Sequence, residues 1–254
     1  MTKIFYTFLL ITLSVPFLKG QDIGVSSDEL FSKANSVYEK KRYSEAQILY
    51  QQLADAGYSS KELFYNLGNT FYKMKKYGFA VYYYEKAKQL DPSDEDINFN
   101  LELTRLYLKD KIITPPDFIL YDFSKKVLYL FSLSTWAVVS LILWYVFVGV
   151  WLLQKVIHLN RRLYRFLVTV AGICLIFGTA NFGINMYTQA KTRQAVILNS
   201  AVDVKSEPDN SGSIVFILHE GTEVQIRSEK NDWCEIRLTD GKVGWIRKDD
   251  LGKL

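Results

Sequence analysis

The sequence is poor in the residues on which metal, redox and hydrolytic chemistry depend. Among 254 residues there are two cysteines and two histidines, and none has the spacing of a zinc site. Cys174 lies in an apolar stretch and Cys234 in a β-like stretch, so no disulfide between them is expected. No Ser or Cys stands in a recognisable nucleophile motif. The sequence therefore predicts a protein that is not an enzyme and has no metal or cofactor.

Acidic residues are scarce in only one part of the chain. Residues 112–193 carry eight basic and two acidic side chains, whereas residues 22–111 and 194–254 carry net charges of −1 and −3. The basic excess flanks apolar stretches, as membrane-topology signals do. Neither polar segment has the net positive charge expected of a phosphate-binding face, so no nucleic-acid partner is expected.

The N-terminus has the composition of a signal peptide. Lys3 precedes an apolar stretch, residues 4–18, which is shorter than the ~20 residues that a membrane-spanning helix needs. The small residue Gly20 suits cleavage before Gln21. Residues 1–20 are therefore predicted to be a cleaved signal peptide, with an uncleaved anchor as the alternative. No Cys lies near this point, which argues against a lipoprotein anchor.

Residues 27–94 contain an internal repeat of 34 residues. The shift aligns side chains of matching size and polarity: Leu30 with Phe64, Ala34 with Gly68, Val37 with Phe71, Tyr43 with Tyr77, Ala46 with Ala80, Tyr50 with Tyr84 and Leu53 with Ala87. The small residues allow two antiparallel helices to approach closely, and Pro92 ends the second helix. Two helical repeats are predicted, residues 27–60 and 61–94.

The second repeat resembles the tetratricopeptide repeat (TPR) family. The family pattern is matched by Phe64, Leu67, Gly68, Phe71, Ala80, Tyr84, Ala87 and Pro92. A third unit begins at residue 94, but Glu102 stands where its small residue belongs. Residues 94–111 are therefore predicted to form a capping helix, and residues 22–111 an all-α TPR-like module.

The TPR resemblance implies a peptide-binding groove whose wall comes from the first helix of each repeat. The candidate residues are Phe31, Asn35, Tyr38, Tyr65, Asn66, Asn69, Tyr72 and Lys73. Such a wall suits an extended peptide, because amides pair with its backbone and rings cover its side chains. Phe31 and Asp96 stand where a carboxylate-clamp TPR carries lysine, so capture of a C-terminal carboxylate is not expected. In the alternative, these side chains only pack or solvate the helices.

Two stretches without charged side chains, residues 133–153 and 166–187, meet the criteria for membrane-spanning helices. A linker, residues 112–132 with Pro115 and Pro116, precedes them. Residues 154–165 lie between them and contain no acid but four basic residues, Lys155, Arg161, Arg162 and Arg165. This bias predicts a cytoplasmic loop, with both polar segments on the outer side.

One face of the second apolar stretch carries small and polar residues. Cys174, Gly178, Asn181 and Asn185 follow one another at spacings of four, three and four residues. Such residues favour close helix contact in lipid. The sequence leaves open whether this face contacts the first apolar stretch or a partner protein.

Residues 194–254 alternate between apolar and polar positions, which is typical of a small all-β domain. The predicted strands are residues 195–198, 202–205, 214–218, 224–227, 233–238 and 243–246. Asp240 and Gly241 predict a tight hairpin. With Trp233, Gly244 and Trp245, this segment looks like a bacterial SH3-like (SH3b) barrel. Both tryptophans are interpreted as packing residues, and His219 as a surface or hydrogen-bonded residue.

The order of these segments resembles that of BatE-type proteins of the Bat aerotolerance family. The resemblance implies a scaffold in the bacterial inner membrane, with both soluble modules periplasmic. It also implies partner proteins with von Willebrand A-type domains, near a MoxR-type ATPase. The alternative function is a cell-wall sensor whose SH3b-like domain binds peptidoglycan.

Overall fold

The computed structural model describes residues 26–112, 127, 130–157, 160–191 and 193–254. The chain divides into two compact units, Met1–Ser59 and Ser60–Leu254. The predicted signal peptide lies outside the described residues, as do Pro115, Pro116 and His158.

The first unit contains a helical hairpin. Helix α1 spans Ser27–Glu39 and helix α2 spans Tyr43–Asp55. Apolar positions spaced for one helix face are buried between them, namely Leu30, Ala34, Ala46, Tyr50 and Leu53. The connecting turn places Lys41 at φ 61°. It is closed by a hydrogen bond of 3.2 Å from the Arg42 amide to the Val37 carbonyl, the pattern of a Schellman motif.

The second unit begins with three helices: α3 (Lys61–Lys73), α4 (Tyr77–Leu90) and α5 (Glu95–Arg105). Ser60 and Asp94 cap α3 and α5, because their side chains accept hydrogen bonds from first-turn amides. The α3–α4 turn repeats the α1–α2 turn, with Lys75 at φ 59°. Helices α3 and α4 approach closely at Gly68, where a Cβ atom would lie 2.5 Å from the Tyr84 ring.

Helix α5 is shorter than the sequence predicts. It ends at Arg105, and the amides of Leu106, Tyr107 and Leu108 each bond to the carbonyl three residues back. Such bonds tighten the backbone and stop the α-helical ladder. Residues 106–112 therefore form an irregular segment rather than the last turns of a capping helix.

Two long apolar helices follow, α6 (Leu133–Val156) and α7 (Arg161–Lys191). The spans Leu133–Leu153 and Arg161–Thr188 are long and apolar enough to cross a membrane. Helix α7 begins earlier than predicted, because Asn160 accepts a hydrogen bond from the Arg162 amide at 2.9 Å and caps it. Arg161, Arg162 and Arg165 therefore lie in the first turns of α7 rather than in a loop.

The remaining residues form an antiparallel sheet. Its strands are β1 (Arg193–Ile197), β2 (Ala201–Lys205), β3 (Ile214–His219), β4 (Glu223–Lys230), β5 (Trp233–Arg237), β6 (Val243–Arg247) and β7 (Leu251–Lys253). They pair in the order β3-β2-β6-β5-β4-β1-β7. Alternate residues from all seven strands share one core or pack against it, so the sheet curls around its buried face. We call residues 193–254 the β-domain.

The predicted fold class is confirmed: TPR-like helices, two apolar helices and a small antiparallel β-domain occur in that order. Strand β7 was not predicted. It has only three residues, and its place depends on pairing with β1, which no local pattern encodes.

Candidate functional site

The groove candidates of the first unit lie on α1, and each is half-buried. The Tyr50 hydroxyl donates a hydrogen bond of 2.5 Å to Asn35 Oδ1. The rings of Phe31 and Tyr50 meet edge to face at 5.8 Å, as do those of Tyr38 and Tyr43 at 5.3 Å. These side chains therefore join α1 to α2, besides lining one side of α1.

The same arrangement recurs 34 residues later. The Tyr84 hydroxyl donates to Asn69 Oδ1 at 2.6 Å, so Asn69 joins α3 to α4 as Asn35 joins α1 to α2. The Asn100 amide donates to the Tyr65 hydroxyl at 2.8 Å, which links α5 to α3. Asn66 is half-buried on α3. Asn69 and Asn100 therefore link neighbouring helices through their side-chain amides.

Three tyrosines form a cluster at the C-terminal end of α3. Tyr72 meets Tyr77 and Tyr107 edge to face at 5.8 and 5.9 Å, and Tyr77 stacks on Tyr107 at 4.9 Å. The hydrogen bond between Tyr72 and Tyr107 raises the pKa of Tyr72 to about 12, so its phenol stays protonated at neutral pH. Lys73 is exposed beside this cluster.

Exposed apolar residues on and just beyond α5 were missed by the sequence analysis. Phe99, Leu106 and Tyr107 are 67%, 70% and 55% exposed. A shift of 34 maps Tyr65 onto Phe99, Tyr72 onto Leu106 and Lys73 onto Tyr107. The same shift that defined the repeat would have found them if residues 94–111 had been treated as a groove wall instead of a cap. We call Tyr65, Tyr72, Phe99, Leu106 and Tyr107 the apolar wall.

The residues matched to the TPR pattern fill the interior of the helical hairpins. Exposed fractions are 0% for Ala34, Ala46, Leu67, Ala80 and Ala87, and between 1% and 7% for Tyr84, Phe71 and Phe64. Gly68 leaves room for the Tyr84 ring. Pro92 lies between α4 and α5. These positions hold the helices together and offer nothing to a ligand.

The polar face of α7 meets α6. Asn181 and Asn185 are 7% and 2% exposed, and a Cβ atom on Gly178 would lie 2.7 Å from a Leu143 methyl group. Both amides donate to carbonyls of their own helix, at 2.8 and 3.2 Å. Cys174, in contrast, is exposed. The structure therefore assigns three of the four predicted residues to packing between the two apolar helices.

The predicted SH3b residues lie on β5, on β6 and in the turn between them. Trp233 is 9% exposed, and Lys205 and Arg247 lie 5.9 and 5.8 Å from the centre of its ring. Trp245 is half-buried on β6. Gly244 leaves no room for a Cβ atom beside Val204, and Gly241 turns the β5–β6 hairpin at φ 93°. Asp240 accepts a hydrogen bond from the Lys242 amide at 3.1 Å.

Cys234 is fully buried beneath this surface. Burial, and secondarily the charge of Glu229, raise the pKa of its thiol. A thiol with a raised pKa is a poor nucleophile. Among the described residues, no group of three or more His, Cys, Asp or Glu side chains is arranged to hold a metal ion.

A polar contact between the helices and the β-domain was not predicted. The Asp110 carboxylate accepts hydrogen bonds of 2.7 Å from the His219 amide and the Thr222 hydroxyl, and its other oxygen lies 2.7 Å from His219 Nδ1. Burial by itself raises the pKa of Asp110, but these donors outweigh it and hold the pKa below its ordinary value. His219 is therefore a hydrogen-bonded residue.

A second polar cluster lies nearby. Arg105 donates to Glu85 at 2.8 Å and to Glu223 at 3.0 Å. Burial, together with the charge of Glu223, raises the pKa of Glu85 to about 7, although Lys88 and Arg105 oppose the shift. We call the contact between residues 78–112 and the β-domain the junction.

Comparison with known proteins identifies two segments. Residues 62–94 match the tetratricopeptide repeat family and residues 200–252 match the bacterial SH3 domain family. A putative N-acetylmuramoyl-L-alanine amidase of Bacillus subtilis, YrvJ, is 32% identical over 74 residues, which is 29% of this chain. The chain spans 14% of the length of that relative.

Two solved structures match this chain at low structural similarity. The Yersinia enterocolitica chaperone SycD, solved with a peptide of the translocator YopD, gives a TM-score of 0.31 at 17% identity, over 63% of this chain and 98% of that chain. PcrH from Pseudomonas aeruginosa gives 0.32 at 14% identity, over 65% and 99%.

Proposed function

We propose that the protein is a membrane-anchored adaptor without catalytic activity, which binds an extended segment of a partner protein on the apolar wall. The observation that carries the proposal is the exposure of Phe99, Leu106 and Tyr107 at the positions that continue the wall of the TPR-like repeat. Exposed aromatic and aliphatic side chains in a row supply the contacts that anchor a peptide.

The two apolar helices support the membrane anchor. Only 11% of each apolar window is buried within the chain, so most of this surface has no covering protein. Lipid is the solvent that suits it. The junction joins residues on either side of the α6–α7 hairpin, which requires the helices and the β-domain to share one side of the membrane. Arg161, Arg162 and Arg165 at the hairpin favour the cytoplasm for that end, and therefore the periplasm for both modules.

The order of the segments further supports a place in a Bat-type complex. In this proposal the partner is a membrane protein with a von Willebrand A-type domain, and the complex acts in oxygen or stress tolerance. Crosslinking tests the adaptor function. A photoreactive amino acid replaces Phe99 or Leu106 of the full-length protein in native membranes, and replaces Ile48 in the control.

Ile48 is a suitable control because it is an aliphatic residue, 54% exposed, on α2 rather than on a groove-side helix. We expect one partner protein to be captured from both Phe99 and Leu106 and not from Ile48. Equal capture from all three positions, or none from any, contradicts the adaptor function.

A second candidate function is binding of peptidoglycan by the β-domain. It is supported by the similarity to a putative N-acetylmuramoyl-L-alanine amidase and by the cations beside Trp233, which suit sugars that carry carboxylates. Sedimentation of the full-length protein with purified murein tests it. Binding to murein that is lost in Lys205→Ala and Arg247→Ala, without any partner captured at Phe99, favours this function over the adaptor.

A further inference from the structure

The repeat pattern stops halfway through its third unit. Helix α5 corresponds to the first helix of a repeat, but the chain turns away after Arg105. Glu102 occupies the position of the small residue that a second helix would require, and its side chain is 69% exposed. Among the described residues, α5 is followed by the irregular segment 106–112 and not by a second repeat helix, so the part of the array that the structure describes lacks the helix that would end it.

The β-domain packs against one face of α4 beside this open end. The contact is made by one face of α4, which carries Gly78, Tyr82 and Glu85. Gly78 lies against Glu220, and Tyr82 lies against Gly252. Glu85 is linked to Glu223 through Arg105. In the first repeat the corresponding residues are Ser44, Ile48 and Gln51. Ser44 and Ile48 are exposed. The repeat fold therefore does not require the residues found on this face of α4.

Three glycines permit the close approach. A Cβ atom on Gly78 would lie 2.7 Å from Glu220 Cβ, and one on Gly252 would lie 2.7 Å from the Tyr82 ring. At Gly221, which has φ 83°, the Leu108 side chain fills the space that a Cβ atom would need. Side chains at these positions would separate the two surfaces. Their shapes are thus complementary at three independent points.

The polar contacts match this shape. The Gly78 amide, in the first turn of α4, donates to Glu220 Oε2 at 3.0 Å. The side chain of Lys76, the N-cap residue of α4, accepts no hydrogen bond from the first turn of the helix. A carboxylate of the β-domain therefore caps α4 and complements its dipole. Asp110 holds the same β3–β4 turn through His219 and Thr222. The β3–β4 turn therefore bonds both to the first turn of α4 and to Asp110.

We propose that the β-domain is the C-terminal cap of the helices α3–α5, docked through its β3–β4 turn onto α4 and residues 105–110, so that these three helices and the β-domain act as one body. The inference does not depend on what the apolar wall binds. It assigns the β3–β4 turn to the helices, which leaves the Trp233 side of the β-domain available for other ligands.

The decisive variant is Gly78→Ser, which installs the residue of the first repeat. Serine suits a helix interior better than glycine, so α4 itself is not weakened, whereas the added Cβ atom clashes with the β3–β4 turn. Hydrogen exchange of the full-length protein in nanodiscs is the measurement. We expect exchange at the His219 amide and along α5 to accelerate at least tenfold.

The control is Ser44→Gly, at the corresponding exposed position of α2, which should leave His219 and α5 unchanged. A second variant, Asp110→Asn, should also accelerate exchange at His219 and along α5, while Asp240→Asn should act only at the β5–β6 hairpin. If Gly78→Ser does not fold, Asp110→Asn and the milder Thr222→Val carry the test. Native exchange at His219 and along α5 in these variants overturns the proposal, as does acceleration confined to His219.

Discussion

The first and second repeats share their interior and differ on their outer face. Asn35 and Tyr50 form the same hydrogen bond as Asn69 and Tyr84, and Lys41 and Lys75 occupy the same left-handed turn. On the second helix of each hairpin, however, Ser44, Ile48 and Gln51 correspond to Gly78, Tyr82 and Glu85. The common positions build the hairpin, and the divergent ones serve the junction.

The largest expected effect comes from the shared interior. Tyr84→Ala removes a ring that is 1% exposed and packs on Gly68, and large-to-small changes of this kind cost about 3–5 kcal/mol. Tyr50→Ala should destabilise its own hairpin by a similar amount. Local free energies of opening, from hydrogen exchange of α1–α4, measure both. A loss below about 1 kcal/mol in either variant contradicts a common interior.

The next largest effect is expected in the second repeat and not in the first. Arg105→Ala leaves the carboxylates of Glu85 and Glu223 facing each other, and loss of charged hydrogen bonds in this half-buried place should cost about 2–3 kcal/mol. Arg42→Ala is the control, because Arg42 is exposed and pairs with Glu45 in the first turn of α2, and such pairs contribute about 0–1 kcal/mol. The same exchange measurement compares them. Equal losses of stability in the two variants would show that the junction does not stabilise the second repeat.

The pH dependence of the junction should follow Glu85. Its pKa is raised from 4.5 to about 7, so the folded protein keeps a proton that the unfolded chain has lost. The stabilisation that this proton provides is complete below the pKa of Glu85 in the unfolded chain, and it is lost as the pH rises through 7. The junction should thus be weaker at pH 8 than at pH 5.

Glu85→Gln tests this assignment, because it installs the amide that the first repeat has at Gln51. Glu85 faces Arg105, Glu223, Glu102 and Lys88, and the variant removes its charge without changing its shape. Exchange at the His219 amide should then lose most of its change between pH 5 and pH 8, after correction for intrinsic exchange. An unchanged pH profile would show that a group other than Glu85 causes the pH dependence of the junction.

The smallest effect concerns the shared turn. Lys41 and Lys75 adopt φ angles of 61° and 59°, a region that glycine enters without steric cost. Lys41→Gly and Lys75→Gly should each stabilise their hairpin by about 0.5–1 kcal/mol, because relief of steric strain exceeds the entropy that glycine adds to the unfolded chain. Opposite signs in the two repeats would mean that the turns differ.

Much of the candidate site could be predicted from the 34-residue period. It predicted Tyr65 and Tyr72, and it would also have predicted Phe99 and Leu106 if residues 94–111 had been treated as a groove wall. The second role of Asn69 was not predictable, since its bond to Tyr84 depends on how α3 and α4 pack. Cys174 shared a spacing with Gly178 and Asn181, yet its side chain is exposed, because spacing along one helix does not fix how the neighbouring helix crosses it.

The sequence by itself determined the helical repeat, the two apolar helices and the alternating strands, because each depends on a local period of side-chain polarity. Only the tertiary structure decided that residues 106–112 leave the helix, that β7 pairs with β1, and that Asp110 and Arg105 hold the β-domain. The bonds of Asp110 to Thr222 and of Arg105 to Glu223 join residues more than a hundred positions apart, and β1 and β7 pair across more than fifty. No local period encodes them, since they arise from the shapes of two folded surfaces.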